Sequence, residues 1–182
     1  MEKPVVKSDA QQSDLRTPKP TGVWFLGWLH VISGIAIVAV MVLGAFRLID
    51  AKPHSFAVHA NTALLAALNL AAGIGLLRGA KWGWSVAVLY QALAVYRALA
   101  AIAFAYHSLP ALGASSAEVR GVIDKYLLRA AVAGMLTAYL LTEAVRRQFR
   151  IHLLRKRTLL AALIPPILGY AVIEVLVTRL TK

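Results

Sequence analysis

The sequence contains no cysteine. Disulfides, thiol catalysis, iron–sulfur ligation and palmitoylation are therefore excluded, whatever the compartment. It also lacks the spacings that mark common chemistry. There is no phosphate-binding glycine loop and no dinucleotide glycine motif. There is no nucleophile elbow and no intramembrane Gly-x-Ser-x or Gly-x-Gly-Asp protease signature. Histidines number five. With successive apolar blocks antiparallel, His30 and His59 fall near opposite membrane faces, which argues against bis-histidine haem ligation. His54, His59 and His107 fall toward one surface but without tight ligand spacing. No metal, no cofactor and no enzymatic activity are expected.

Acidic residues are scarce as well. Eight Asp and Glu face twenty Lys and Arg, for a net charge of +12. Such a balance invites a nucleic-acid reading, but the cations lie in links between apolar blocks, where orientation signals lie. Zinc spacing, an RNA-binding aromatic motif and a helix-turn-helix of soluble length are all missing. The expected partners of these cations are anionic lipid headgroups.

What the chain has in excess is apolar sequence. Of its 182 residues 59% are hydrophobic, and the mean hydropathy is +0.68. A helix needs roughly 20 apolar residues to cross about 30 Å of hydrocarbon. Five blocks approach that length, at about 23–46, 56–77, 82–106, 126–145 and 158–178. The predicted fold is all-α: a polytopic transmembrane helical bundle over 21–182, with four spans and a fifth segment. That fifth segment carries Pro165-Pro166 at its centre. Proline removes an amide donor and crowds the preceding turn, so the segment is either a kinked span or a re-entrant helix. Residues 1–20 are polar and proline-bearing, with no apolar period, and read as a disordered cytoplasmic tail.

The links are informative. Arg78-Gly79-Ala80-Lys81 allows only two antiparallel neighbours. The surrounding stretch, Gly75 to Trp84, is similar to the tight basic–tryptophan hairpin of many small bacterial inner-membrane proteins, a likeness that carries no function. Ser115-Ser116-Ala117-Glu118 offers a capping box for a helix that starts outside the hydrocarbon. With the N-terminus inside, twelve cations fall on the cytoplasmic side. These are Lys3, Lys7, Arg16, Lys19, Arg78, Lys81, Arg146, Arg147, Arg150, Arg155, Lys156 and Arg157. Seven fall outside, and Arg97 lies within a span. The bias predicts a multi-pass inner-membrane protein with a cytoplasmic N-terminus. Trp24, Trp28, Trp82 and Trp84 would then line the inner interface, and Tyr106 and Tyr126 the outer one. The run Arg146, Arg147, Arg150, Arg155, Lys156 and Arg157 is predicted to contact lipid headgroups or a partner.

Small residues recur every fourth position. Ala63, Ala67, Ala71 and Gly75 form one stripe, and Ala130, Gly134 and Ala138 another. Such stripes let helices approach closely, within a chain or between copies. Polar residues inside the blocks form two layers by helical rise. The inner layer holds His30, Asn69 and Gln91 at about 10–12 Å depth and Glu143 at about 4 Å. The outer layer holds His59, Asn61, Arg97 and Glu174 at about 5–13 Å. Arg97 is expected to point into the bundle toward Asn61 or Glu174. These layers read either as glue between helices or as a pathway.

Three functions compete. The leading one is a non-catalytic accessory or structural subunit acting through helix–helix contacts with other membrane subunits or itself. The second is a small oligomeric transporter or channel using the polar layers. The third is a lipid-modifying membrane enzyme of unrecognised type.

Overall fold

The structure, a computed structural model, describes residues 21–46, 56–151 and 156–180. The tail over 1–20 lies outside the described residues. So do Arg155 and the side chains of Lys156 and Glu174. Among the described residues six α-helices run in order: α1 (Thr21–Ala45), α2 (Phe56–Arg78), α3 (Lys81–Ser108), α4 (Ser116–Leu140), α5 (Glu143–Gln148) and α6 (Lys156–Leu180). Among the described residues there is no strand. Three helices are long and apolar enough to cross a membrane, at Thr21–Ala45, His59–Arg78 and Lys81–Ser108.

Helices α1 to α4 form an antiparallel meander in which each packs on the next. Three helix stops share one device. After α2, the Ala80 amide donates to the Gly75 carbonyl at 2.9 Å and the Gly79 amide to Leu76 at 3.1 Å. This pairing is the Schellman stop, and it needs a left-handed residue, here Gly79 at φ 71°. Gly113, at φ 85°, repeats it after the short 3-10 turn Pro110–Leu112. The third stop, after α5, places Arg150 at φ 55°, a conformation disfavoured for residues with a Cβ. Helix α4 starts where the capping box predicts. Ser115 accepts from the Glu118 amide, and the Glu118 carboxylate accepts from the Ser115 amide at 2.7 Å.

The block predicted over 126–145 is corrected at its far end: helix α4 ends at Leu140 instead of running on. The Thr142 hydroxyl donates to the Tyr139 carbonyl at 2.8 Å, which competes with helical pairing there. The Leu140 carbonyl, released by the break, accepts the Trp84 indole N–H at 2.9 Å. The chain then turns under the bundle as α5, where Val145 and Phe149 are buried. Trp84 is thus a core residue and not an interface anchor, whereas Trp24, Trp28 and Trp82 are exposed at the same end.

The core gathers at this tryptophan end. Val23 and Leu26 of α1, Ala72 and Leu76 of α2, Trp84 and Val88 of α3, and Leu140, Val145 and Phe149 pack as one cluster. Two glycine contacts bring backbones together. A Cβ on Gly73 would lie 2.7 Å from the Gly27 carbonyl oxygen, and one on Gly75 would run into the backbone of Gly83. Helix α6 runs unbroken through Pro165 and Pro166. Its Leu163 packs against the core cluster, and its Tyr170 reaches α2 and α3 farther along.

Two outcomes follow. Gly75→Ala should cost about 1–3 kcal/mol by overpacking, whereas Gly134→Ala, with open space around its Cβ, should not lose stability. Unfolding in mixed micelles reads both, and equal behaviour would contradict the packing described. The Glu118 carboxyl is held below its usual range first by the Ser115 amide and then by the Ser115 hydroxyl. Its contribution to the cap is therefore present above the ordinary carboxylate value and disappears as pH falls through the lowered folded value. Amide exchange at Glu118 and Val119 should accelerate, relative to mid-α4 amides, as the pH is lowered below the ordinary carboxylate value. The same acceleration in Glu118→Gln, which has no carboxyl to titrate, would count against it.

Candidate functional site

Three of the four inner-layer residues meet. His30 on α1, Asn69 on α2 and Gln91 on α3 lie nine, nine and ten residues from the tryptophan end of their helices, or about 13–15 Å along each axis. Equal depth lets them touch. The His30 Nδ1 hydrogen-bonds to Asn69 Oδ1, and His30 Nε2 lies 3.3 Å from Gln91 Nε2. One tautomer satisfies both bonds: Nδ1–H donates to the Asn69 carbonyl oxygen and Nε2 accepts from the Gln91 amide. The edge-to-face ring of Tyr90, 5.2 Å away between centroids, holds the imidazole plane. All three side chains are sealed, with exposures of 3%, 1% and 5%.

This arrangement ties three helices at one depth. Gly34, one turn along from His30, allows the approach: a Cβ there would meet Leu70 at 2.6 Å. The fourth inner residue, Glu143, is not part of it. The break after Leu140 moves Glu143 onto the exposed side of α5, where its carboxylate pairs with Arg147 one turn on at 2.6 Å.

The outer layer is rearranged. Asn61 does meet α6, but through Tyr170, whose hydroxyl donates to Asn61 Oδ1 at 2.9 Å. Tyr170 also packs edge-to-face on Tyr96 of α3. His59 is exposed. Arg97 does not point into the bundle. It is exposed on the side of α3 that faces α4 and lines a cleft of about 600 Å³ with Tyr90, Phe104, Tyr126 and Arg129. The reason is angular: Arg97 falls on the same helical stripe as Tyr90, Ala94, Ala101 and Phe104, the stripe of α3 that lines the cleft.

The basic run divides. Arg146, expected at the headgroups, is 6% exposed and turned under the bundle, its guanidinium donating to the Ile151 carbonyl at 3.4 Å. The helix ends at Gln148, so Arg146 shares the buried side of α5 with Val145 and Phe149. Arg147, Arg150 and Arg157 are exposed. The small-residue stripes are displaced from the contacts made inside the chain. Ala63 and Ala67 are exposed and Ala71 half-buried, whereas Ala66, Asn69, Ala72, Gly73 and Leu76 face neighbouring helices together with Gly75. On α4, Ala133 and Leu140 are buried, Ala130 and Gly134 are half-buried, and Ala138 is exposed.

Among the described residues no three His, Asp or Glu side chains gather in a metal-binding group. Sequence reasoning missed the Trp84–Leu140 bond, the Tyr170 contact and the Arg97–Arg129 cleft. Only the last left a trace, because Arg129 is the innermost charge of α4. No protein-family model, curated protein or solved structure matches the chain at a significant level.

The triad generates a coupling prediction. Asn69→Leu leaves the His30 N–H without its acceptor and should cost about 1–3 kcal/mol. Combining it with His30→Leu should cost clearly less than the two single changes together, because they break the same bond. A double-mutant cycle in mixed micelles measures this, and strict additivity would show that the bond contributes nothing.

Proposed function

We propose that the chain is a polytopic inner-membrane protein with a cytoplasmic N-terminus, serving as a non-catalytic subunit that acts through helix–helix contacts. The spans in this reading are α1 to α4 with α6 as a fifth. Three of them have the length and apolar character on their own. Helix α4 lies along α3, from the Trp84–Leu140 contact to the shared Arg97–Arg129 cleft. A membrane around α3 therefore surrounds α4, and its charged first turns emerge on the far side. Helix α6 follows α3 from Leu163 at the tryptophan end to Tyr170, which favours a crossing over a re-entrant hairpin. The exposed tryptophans and the cations of α5 share one end, which supports a cytoplasmic assignment for that end.

One observation carries the subunit reading: the His30–Asn69–Gln91 triad is spent on internal hydrogen bonds and sealed from solvent. A conduction path needs polar groups that water or solute can reach, and this layer offers none. What the protein presents outward is the apolar wall of α1, including Phe25, Ile32, Ile35 and Val38. The transporter reading draws on a different observation, the exposed Arg97 within α3. It gains the upper hand if proteoliposome flux of a solute is abolished by Arg97→Leu.

The absence of cysteine makes the reading testable by single insertions. Arg157→Cys should react with a membrane-impermeant maleimide only after the cytoplasmic face is opened. A photo-reactive residue at Ile35 should give a discrete heavier protein product in native membranes. Labelling from the outside would reverse the orientation, and adducts to lipid alone would remove the subunit role.

A further inference from the structure

The cleft between α3 and α4 is a separate place from the sealed triad, and its chemistry is different. Arg97 and Arg129 both line it and are both exposed toward it. Arg97 lies thirteen residues from Trp84, and Arg129 eleven residues from Leu140. Because Trp84 and Leu140 touch, the two guanidinium-bearing positions sit at nearly the same height, about 17–20 Å from that contact. That height falls inside a hydrocarbon layer of about 30 Å, in the half away from the tryptophans.

Cations at such depth pair with acids, face a bundle interior or meet water and ligands. Neither arginine has an ion-pair partner among the described residues. Arg129 is steadied instead by the Tyr126 ring, 5.2 Å from its guanidinium carbon. The floor between the arginines is alanine from α3, which keeps the cleft open at about 600 Å³, the size of a small-ligand site. Two planar forks directed at one cavity, with tyrosines beside them and no carboxylate among the described lining residues, match a phosphate in geometry and charge.

We propose that this cleft binds the phosphate headgroup of an anionic membrane lipid from the leaflet opposite the tryptophan end. Arg97 and Arg129 clamp the phosphate oxygens, and Tyr90 and Tyr126 offer hydroxyls beside it. The acyl chains leave sideways past Phe104 into the surrounding bilayer. A lipid already sits in that leaflet, and the arginine side chains can extend toward its headgroup, whereas a soluble phosphate would first have to cross the headgroup layer. The inference does not depend on the subunit role.

The test uses the full chain, purified in mild detergent and stripped of lipid. It is titrated with phosphatidylglycerol, phosphatidylcholine and inorganic phosphate while bound lipid is counted by native mass spectrometry. Phosphatidylglycerol should bind saturably and at least tenfold more tightly than phosphatidylcholine. Arg97→Gln with Arg129→Gln should weaken it at least tenfold, whereas Arg147→Gln at the opposite end should not. Arg97→Lys, which keeps the charge, should lose less, and unchanged melting of each variant separates binding from folding. Equal binding by the double variant and the unaltered chain overturns the proposal. So does Arg97-dependent binding of inorganic phosphate with indifference to phosphatidylglycerol, which would assign the cleft to a soluble anion.

Discussion

A helix that ends near lipid leaves carbonyls with no donor, and the rest of this structure depends on how one such end is resolved. The Trp84 indole on α3 takes the Leu140 carbonyl at the end of α4. That bond frees the chain to leave the helix, turn under the bundle as α5, and deliver Val145 and Phe149 into a core shared with α1, α2 and α3. Without a donor at that point, an exposed carbonyl in apolar surroundings costs several kcal/mol, on the order of a whole interhelical contact. The same turn carries Arg146 inward and Glu143 outward, so two residues expected at the membrane surface and in the membrane interior exchange environments.

Apolar burial contributes little to joining helices in lipid, which is as oily as the side chains. The contacts are accordingly of two other kinds. Gly27 with Gly73 and Gly75 with Gly83 bring backbones to near van der Waals contact, where dispersion is densest. The His30–Asn69–Gln91 triad adds a directional tie at one height across three helices. Glycine pairs set how close the helices come, and the triad sets their rotation and register.

Much of this was legible in the sequence. Helical rise alone placed His30, Asn69 and Gln91 at one depth, and the tight Arg78–Lys81 link implied antiparallel neighbours. The capping box at Ser115 marked a helix start. What rise cannot supply is rotation about each axis. Depth alone sends Arg97 to the interior, yet it falls on the stripe of α3 that lines the open cleft beside α4. The small-residue stripe on α2 was read one position off for the same reason. The helix break after Leu140 left no glycine or proline to announce it, because its cause is a hydroxyl on Thr142 and an indole fifty-six residues away in sequence.

Burial along the bundle is lopsided. On α1 the buried residues run from Val23 to Gly34 and stop, and α4 buries Ala133 and Leu140 but nothing nearer its charged start. Helix α3 stays packed as far as Ala105, so α1 and α4 are rods bound near one end and looser at the other. Changes in lateral pressure would then be felt unequally by the two leaflets: stretching the loosely bound side opens gaps between rods, while the bound side resists. Its shape would track the lipid composition of one monolayer far more than that of its opposite.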